Sequence, residues 1–185
     1  MRHRTINNKL FKENRKRLSE LLPAKSLAIV NANDILPTNA DGTLIMQPNA
    51  DLFFLSGIEQ EQSILLIFPD AAEEKNREIL FLRQPNEHLK IWEGYKHSKE
   101  DAEKISGIKN IQWLSDFPII FRSLILESES AYLNSNEYKR AQVETETRDV
   151  RFIRQCKLDY PLHDFRRLAP LLHKLRVTKT DLEIE

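Results

Sequence analysis

Short runs of consecutive apolar residues occur along the first two-thirds of the chain and are separated by polar stretches. Four such runs are Leu27–Val30, Leu52–Leu55, Ile64–Phe68 and Ile79–Leu82, and Ala131–Leu133 is a further candidate strand. Within each run polar and apolar residues do not alternate, which is the pattern of strands covered on both faces. The runs therefore predict a sheet of buried strands with helices packed on each side.

Three segments between or before these runs have the features of helices. Residues 7–22 place Leu10, Phe11, Leu18 and Leu22 on one face, and Pro23 ends the segment. A second helix is predicted from the cap residue Ser98 to Ser106, ended by Gly107. A third is predicted to be capped by Ser115 and to bury one apolar face: Phe117, Ile120, Phe121, Leu124 and Ile125. These helices are expected to form the outer layers.

The character of the chain changes after Asn134. Residues 137–149 are highly polar, and residues 147–175 offer apolar helical stretches interrupted at Tyr160-Pro161. At the end of the chain, Thr180 and Glu183 have the spacing of a capping box, which announces a helix. We therefore divide the chain into an α/β domain (1–136), a mostly helical appendage and connection packed on the sheet (137–179), and the start of a helix that leads to a further domain (180–185).

Composition and charge exclude several classes of protein. Lys plus Arg equals Asp plus Glu at 28 each, so no net field favours nucleic acid or anionic lipid. The longest apolar run is far too short to cross a bilayer. The basic start of the chain lacks the apolar core of a secretory signal. A single cysteine, Cys156, cannot form an internal disulfide, which is typical of a reducing compartment. We expect a cytoplasmic protein in which Cys156 is a structural thiol.

Motifs that carry chemistry are not found in the sequence. The four glycines are too far apart for a phosphate-binding loop. The five histidines include no closely spaced pair typical of a helical metal site. His163-Asp164 has the form of an oriented base, yet no Ser or Cys nucleophile is implied by position, and a surface histidine is the simpler interpretation. The sequence predicts no catalytic residue and no metal ligand in this chain.

Two blocks, residues 37–68 and 79–94, resemble the amino-terminal domain of the Xaa-Pro aminopeptidase (aminopeptidase P), prolidase and creatinase family. The positions that carry the resemblance are Asp41, Gln47, Asn49, Asp51, Phe53, Leu55, Gly57, Trp92 and Gly94. Arg176 and Lys179 fit a later R-x-x-K of the family. The resemblance implies a three-layer α/β/α domain with a mixed sheet, the creatinase-type, ribonuclease-H-like fold.

In the resembled family the chemistry belongs to a carboxy-terminal, pita-bread catalytic domain. Its two divalent metal ions, expected to be manganese, are held by two Asp, one His and two Glu, and none of these ligands maps onto this chain. The resemblance implies a non-catalytic domain that contributes oligomer contacts and active-site walls to a homo-oligomeric enzyme acting on short proline-containing peptides. The alternatives are the same domain of a prolidase or creatinase-like amidinohydrolase, or a non-enzymatic peptide- or protein-binding module.

Two residues are candidates for the substrate cleft or an interface. Trp92 matches the family tryptophan that faces the substrate cleft, where its ring would stack on an apolar side chain; the alternative is a core or interface anchor. Asp41 matches an acidic loop residue near the cleft entrance, although Asp-Gly pairs also form turns. Asp51 is expected to cap the backbone where Leu52–Leu55 begins. The sequence departs from the family at Gln47, Pro48 and Ala169, which bears on proline specificity.

Overall fold

The computed structural model describes residues 6–85, 95–141 and 144–184. These residues form a six-stranded sheet with the order β4-β3-β2-β1-β5-β6. The strands are β1 (Ser26–Asn31), β2 (Ile64–Ile67), β3 (Glu78–Leu82), β4 (Asn110–Trp113), β5 (Ser130–Leu133) and β6 (Asp164–Arg167). Strand β2 is antiparallel to both of its neighbours, and the other adjacent pairs are parallel, so the predicted mixed sheet is confirmed.

The helices lie on both faces of this sheet. They are α1 (Asn8–Leu21), α2 (Ala50–Ser56), α3 (Lys99–Ser106), α4 (Phe117–Glu127), α5 (Arg148–Asp159), α6 (Ala169–Val177) and a short α7 (Asp181–Ile184). Short 3₁₀ turns occupy Glu74–Asn76 and Leu114–Asp116. One hydrophobic cluster joins α1, α2, α3 and α6 to the sheet, and a second joins α4 and α5 to the opposite face. The three-layer α/β/α prediction is therefore confirmed. None of the helices described is long and apolar enough to cross a membrane.

Alternate residues of the central strand serve the two clusters. In β1, Ala28 and Val30 belong to the first cluster, whereas Leu27 and Ile29 belong to the second. All six residues of β1 are buried. This explains why the run shows no alternation of polar and apolar positions: both sides of the strand face a helix layer.

The prediction of a strand at Leu52–Leu55 is wrong, because this run lies in α2. The side chain of Asn49 caps the helix by accepting hydrogen bonds from the backbone N–H groups of Asp51 and Leu52, each at 3.0 Å. Gly57 ends the helix in the left-handed region, with φ 71°. A Cβ at Gly57 would lie 2.4 Å from Cε2 of Phe11, so glycine also permits the close approach of α1 and α2. The residues that begin and end the helix therefore determine the conformation of this segment, rather than its run of apolar residues.

Two edge strands and one cap also differ from the sequence prediction. Strand β6 lies within the segment predicted to be mostly helical, and it pairs in parallel with β5 through residues that are largely exposed. Strand β4, which pairs with β3 at the other edge, lies in a segment where no strand was predicted. Helix α4 begins after a 3₁₀ turn and has no side-chain cap, so Ser115 is not its cap. Neither strand was predicted, because neither contains a run of consecutive buried apolar residues like those of the central strands.

The predicted capping features of α3 and α7 can be compared directly with the structure. Ser98 Oγ accepts the backbone N–H of Asp101 at 3.1 Å, and Gly107 ends α3 in the left-handed region, as predicted. At α7 the Glu183 carboxylate accepts the Thr180 N–H at 3.0 Å. The Glu183 N–H, however, donates to the backbone oxygen of Thr180 rather than to its hydroxyl. The capping box is therefore present in one of its two expected bonds.

Candidate functional site

A cleft of about 660 Å³ opens at the carboxyl ends of the adjacent parallel strands β1 and β5. The chain leaves these two strands toward opposite faces of the sheet: β1 is followed by α2 in one layer, and β5 by α5 in the other. In open α/β sheets such a reversal leaves a crevice where ligands commonly bind. The volume is also in the range typical of small-molecule sites.

One wall of the cleft is apolar and the remainder is polar. The apolar wall comes from the loop after β1 and consists of Leu36, Leu44, Ile45 and Met46. A backbone hydrogen bond of 2.8 Å from Leu44 N–H to the Leu36 oxygen closes the base of this loop. The polar part comes from the first turns of α2 and α5, from the segment after β5, and from His173 and Arg176 of α6.

Two asparagines at the ends of the parallel strands each bind an aspartate in the first turn of a helix. Asn31 Nδ2 donates to Asp149 Oδ1 of α5 at 2.9 Å, and Asn134 Nδ2 donates to Asp51 Oδ2 of α2 at 3.0 Å. The asparagines are 2% and 4% exposed, and the Oδ1 atom of each accepts no hydrogen bond from any described residue. Each asparagine therefore ties the end of a parallel strand to the first turn of a helix, and its buried amide oxygen has no partner among the described residues.

Most of the carboxylates that line the cleft are neutralised by arginine. The pairs are Asp34 with Arg151 at 2.5 Å, Asp51 with Arg176 at 2.7 Å, Glu137 with Arg167, and Glu146 with Arg154. Asp149 differs, because among the described residues its side chain has the amide of Asn31 but no ion pair. It is also half-buried.

Burial raises the pKa of Asp149 from its ordinary value of 3.8 to about 6. The hydrogen bond from Asn31 and the charge of Arg148 act in the opposite direction, while the charges of Asp51 and Asp34 add to the rise. Arg148 is held by a hydrogen bond of 3.1 Å to the Gln62 carbonyl oxygen, and burial lowers its own pKa. Asp149 is thus a carboxylate whose charge the described part of the protein compensates poorly.

The structure places one of the two predicted site residues. Asp41 is exposed in the turn between Pro37 and Thr43, which pair across a β-bridge, and it does not line the cleft. The Asp41-Gly42 turn is closed by a hydrogen bond of 3.1 Å from Gly42 N–H to the Asn39 oxygen. Trp92 lies outside the described residues. A substrate-cleft role for either residue stays a prediction.

Asp51 has a different role from the one expected, and other residues of the cleft were missed. Asn49 caps α2, whereas the Asp51 carboxylate binds Asn134 and Arg176. Sequence reasoning did not find Asn31, Asn134 or Asp149. A signal was present for the asparagines, since each lies at the end of an apolar strand, where polar side chains of parallel strands meet. Asp149 carried no such signal.

In the part of the chain that the structure describes, Cys156 and His163 do not belong to a catalytic arrangement. Burial raises the pKa of the Cys156 thiol to about 12, as expected of a structural thiol. His163 Nε2 lies 3.4 Å from Ser128 Oγ, but Asp164 pairs with Arg166 at 2.7 Å instead of orienting the imidazole. Within residues 6–85, 95–141 and 144–184, no cluster of three or more His, Cys, Asp or Glu side chains is arranged to hold a metal ion.

The fold and the cleft define a mixed-sheet α/β/α domain, and comparison with known proteins gives its family. Residues 11–133 match the family model described as aminopeptidase P, N-terminal domain. The chain therefore belongs to this family.

Relatives extend the similarity over nearly the whole chain. Xaa-Pro aminopeptidase 3 of Dictyostelium discoideum is 24% identical over 183 residues, which are 97% of this chain and 33% of that protein. A structure assigned to aminopeptidase P from Bacillus anthracis matches with a TM-score of 0.85 at 28% identity, over 97% of this chain and 42% of that one. Aminopeptidase P from Escherichia coli in a low-pH form gives 0.78 at 19% identity, over 97% and 41%. The chain thus spans a third to about two-fifths of the length of these relatives.

Proposed function

We propose that this chain is the non-catalytic amino-terminal domain of a metal-dependent Xaa-Pro aminopeptidase, which releases the residue preceding proline. The observation that carries the proposal is the family match over residues 11–133 in a chain that aligns with only part of much longer aminopeptidases. Two divalent metal ions, which we expect to be manganese, would be bound by a carboxy-terminal domain of the same polypeptide. The chemical step would take place there, since two bridging metals activate water for hydrolysis.

In this proposal the chain supplies assembly contacts and part of the wall around an active site in a cytoplasmic homo-oligomer. The proposed contributors are Trp92 and the exposed turn that carries Asp41. A wall of this kind restricts the site to short peptides and keeps bulk solvent away from the reacting centre. The exposure of Asp41, which the fold leaves at the tip of a closed turn, is compatible with such a contact.

The test compares this chain alone with the complete product of the gene that encodes it. Both proteins are incubated with Xaa-Pro peptides and manganese, and the released amino acid is quantified. We expect turnover by the complete product, its loss on chelation of the metal, and none by residues 1–185. A peptide with alanine in place of proline serves as the specificity control. Turnover that follows residues 1–185 through purification would overturn the proposal.

A further inference from the structure

One polar side chain of helix α1 contacts both of the last two helices. Arg17 Nη2 donates hydrogen bonds of 3.1 Å to the backbone oxygens of Leu175 and Thr178, where α6 ends. Its Nη1 lies 3.6 Å from Oε2 of Glu183 in α7. The planar guanidinium has five N–H donors in a fixed fork, so one arginine can hold two carbonyl oxygens and a carboxylate together. Arg17 therefore fixes the corner between α6 and α7 against α1.

Helix α7 depends on such polar contacts, because hydrophobic burial does not hold it in place. It has four residues, fewer than an isolated helix needs to be stable. Its two apolar residues, Leu182 and Ile184, are 38% and 74% exposed. The side chain of Glu183, in contrast, is only 8% exposed, and it binds Lys179 at 3.1 Å as well as Arg17. The direction of α7 is thus determined by a carboxylate and the groups that surround it.

Helix α1 gives Arg17 a fixed position relative to the sheet. The next residue, Leu18, is 0% exposed and belongs to the hydrophobic cluster that joins α1 to the sheet. Arg15, which is 1% exposed, donates to the backbone oxygens of Leu55 and Ser106 at 2.8 and 3.0 Å, where α2 and α3 end. A cation at the carboxyl end of a helix is also favoured by the helix dipole. Through Arg15 and Arg17, α1 therefore holds the ends of three helices.

From this geometry we propose that Arg17 is a positioning residue that sets the direction of α7 and, through it, the orientation of the domain that follows in the same polypeptide. The inference rests on the proposed function, in which a metal-binding carboxy-terminal domain continues from α7. The wall that this chain contributes can hold a peptide productively only when it is placed correctly against that metal centre. Arg17 acts through α7 and not by contact with the substrate.

The direct test is hydrogen exchange of residues 178–184 in the complete product, read by mass spectrometry. Arg17→Ala should raise exchange in this segment by at least about fivefold, because hydrogen bonds from a charged donor are lost. Arg17→Lys keeps the charge but has no fork, so it should restore part of the protection. Lys16→Ala is the matched control, since Lys16 is an exposed cation on the same helix; it should leave the exchange unchanged.

A second variant separates the contact with α7 from a general effect on the fold. Glu183→Gln removes the charge that faces Arg17 and keeps an oxygen for the Thr180 N–H. Since α7 lies outside the core, this variant should leave the domain folded and still raise the exchange of residues 178–184. Combined with Arg17→Ala, its effect should be less than additive in free energy, because the two side chains share one contact. Unchanged exchange in both single variants, or full additivity, would overturn the proposal.

Kinetics of the complete product give a readout that a merely structural role would not move. Arg17→Ala should raise KM for Xaa-Pro peptides by at least about threefold while kcat and bound metal stay close to the wild type, since the metal centre is intact and the wall is displaced. Arg17→Lys should recover part of the change in KM. Parallel loss of kcat and of metal would overturn the positioning role. If the wild-type complete product does not cleave Xaa-Pro peptides, the proposed function fails, whereas the exchange of residues 178–184 still decides whether Arg17 orients α7.

Discussion

Replacement of Asp149 by asparagine should make the domain more stable at neutral pH. The carboxylate of Asp149 has a pKa raised by burial to about 6, from an ordinary value of 3.8. A folded-state pKa above the unfolded one means that the folded protein binds the proton more tightly. The corresponding stability is fully present below about pH 3.8 and is lost as the pH rises through about 6.

The size of the effect follows from the two pKa values. Their difference is about 2, and each pKa unit corresponds to about 1.36 kcal/mol, so the loss reaches about 3 kcal/mol above pH 6. An opposing contribution comes from the start of α5, where an ionised carboxylate is favoured by about 0.3–1 kcal/mol. Because the burial effect is larger, Asp149→Asn should exceed the wild type in stability at pH 7 and match it near pH 4.

Urea unfolding of the wild type, Asp149→Asn and the exposed control Asp116→Asn between pH 4 and pH 8 measures this directly. The difference between wild type and variant cancels the titration of the carboxylates that both share. We expect the difference to grow between pH 4 and pH 6 and then to level off, while Asp116→Asn follows the wild type. A variant that is less stable than the wild type at pH 7 would refute the reasoning, since it would mean that Arg148 or another group compensates the charge of Asp149.

Three further predictions concern other parts of the domain. Leu66→Ala should lower the free energy of unfolding by about 2–5 kcal/mol, because Leu66 is 0% exposed in the centre of β2. Leu162→Ala is the control: this side chain is 99% exposed, so the free energy of unfolding should change by less than about 0.5 kcal/mol. Similar values for both variants would contradict the assignment of the core. Cys156 should resist iodoacetamide at pH 8 in the native protein and react in urea, since burial raises the pKa of its thiol to about 12. Mass spectrometry measures the labelling, and rapid labelling of the native protein would show that the thiol is not buried. Trp92→Ala should leave the melting temperature of residues 1–185 nearly unchanged. In the complete product it should weaken substrate use or assembly, because it removes an aromatic anchor. Unfolding of the domain together with normal kinetics of the complete product would show a core role instead.

The central part of the fold was predictable because its signals are local. Strand β1 and helix α3 illustrate this: the first is an uninterrupted apolar run buried on both faces, and the second lies between the cap Ser98 and the left-handed Gly107. The run Leu52–Leu55 shows the limit of apolar content alone. Its length suits a buried strand, but the Asn49 cap and Gly57 select a helix that buries Leu52 and Leu55. Caps and periodicity over seven residues decided the outcome.

The amino-acid sequence by itself determined the layered α/β/α architecture, the buried central strands and the family resemblance, since all three reside in contiguous stretches of chain. Only the tertiary structure decided which polar side chains meet. Asn31 and Asp149 are 118 residues apart in sequence, and Arg176 and Asp51 are 125 apart. Their contacts depend on the parallel pairing of β1 with β5 and on the passage of α2 and α5 to opposite faces. Side-chain pairing over such distances has no local signal, because it is set by the path of the backbone rather than by the neighbours of each residue in the sequence.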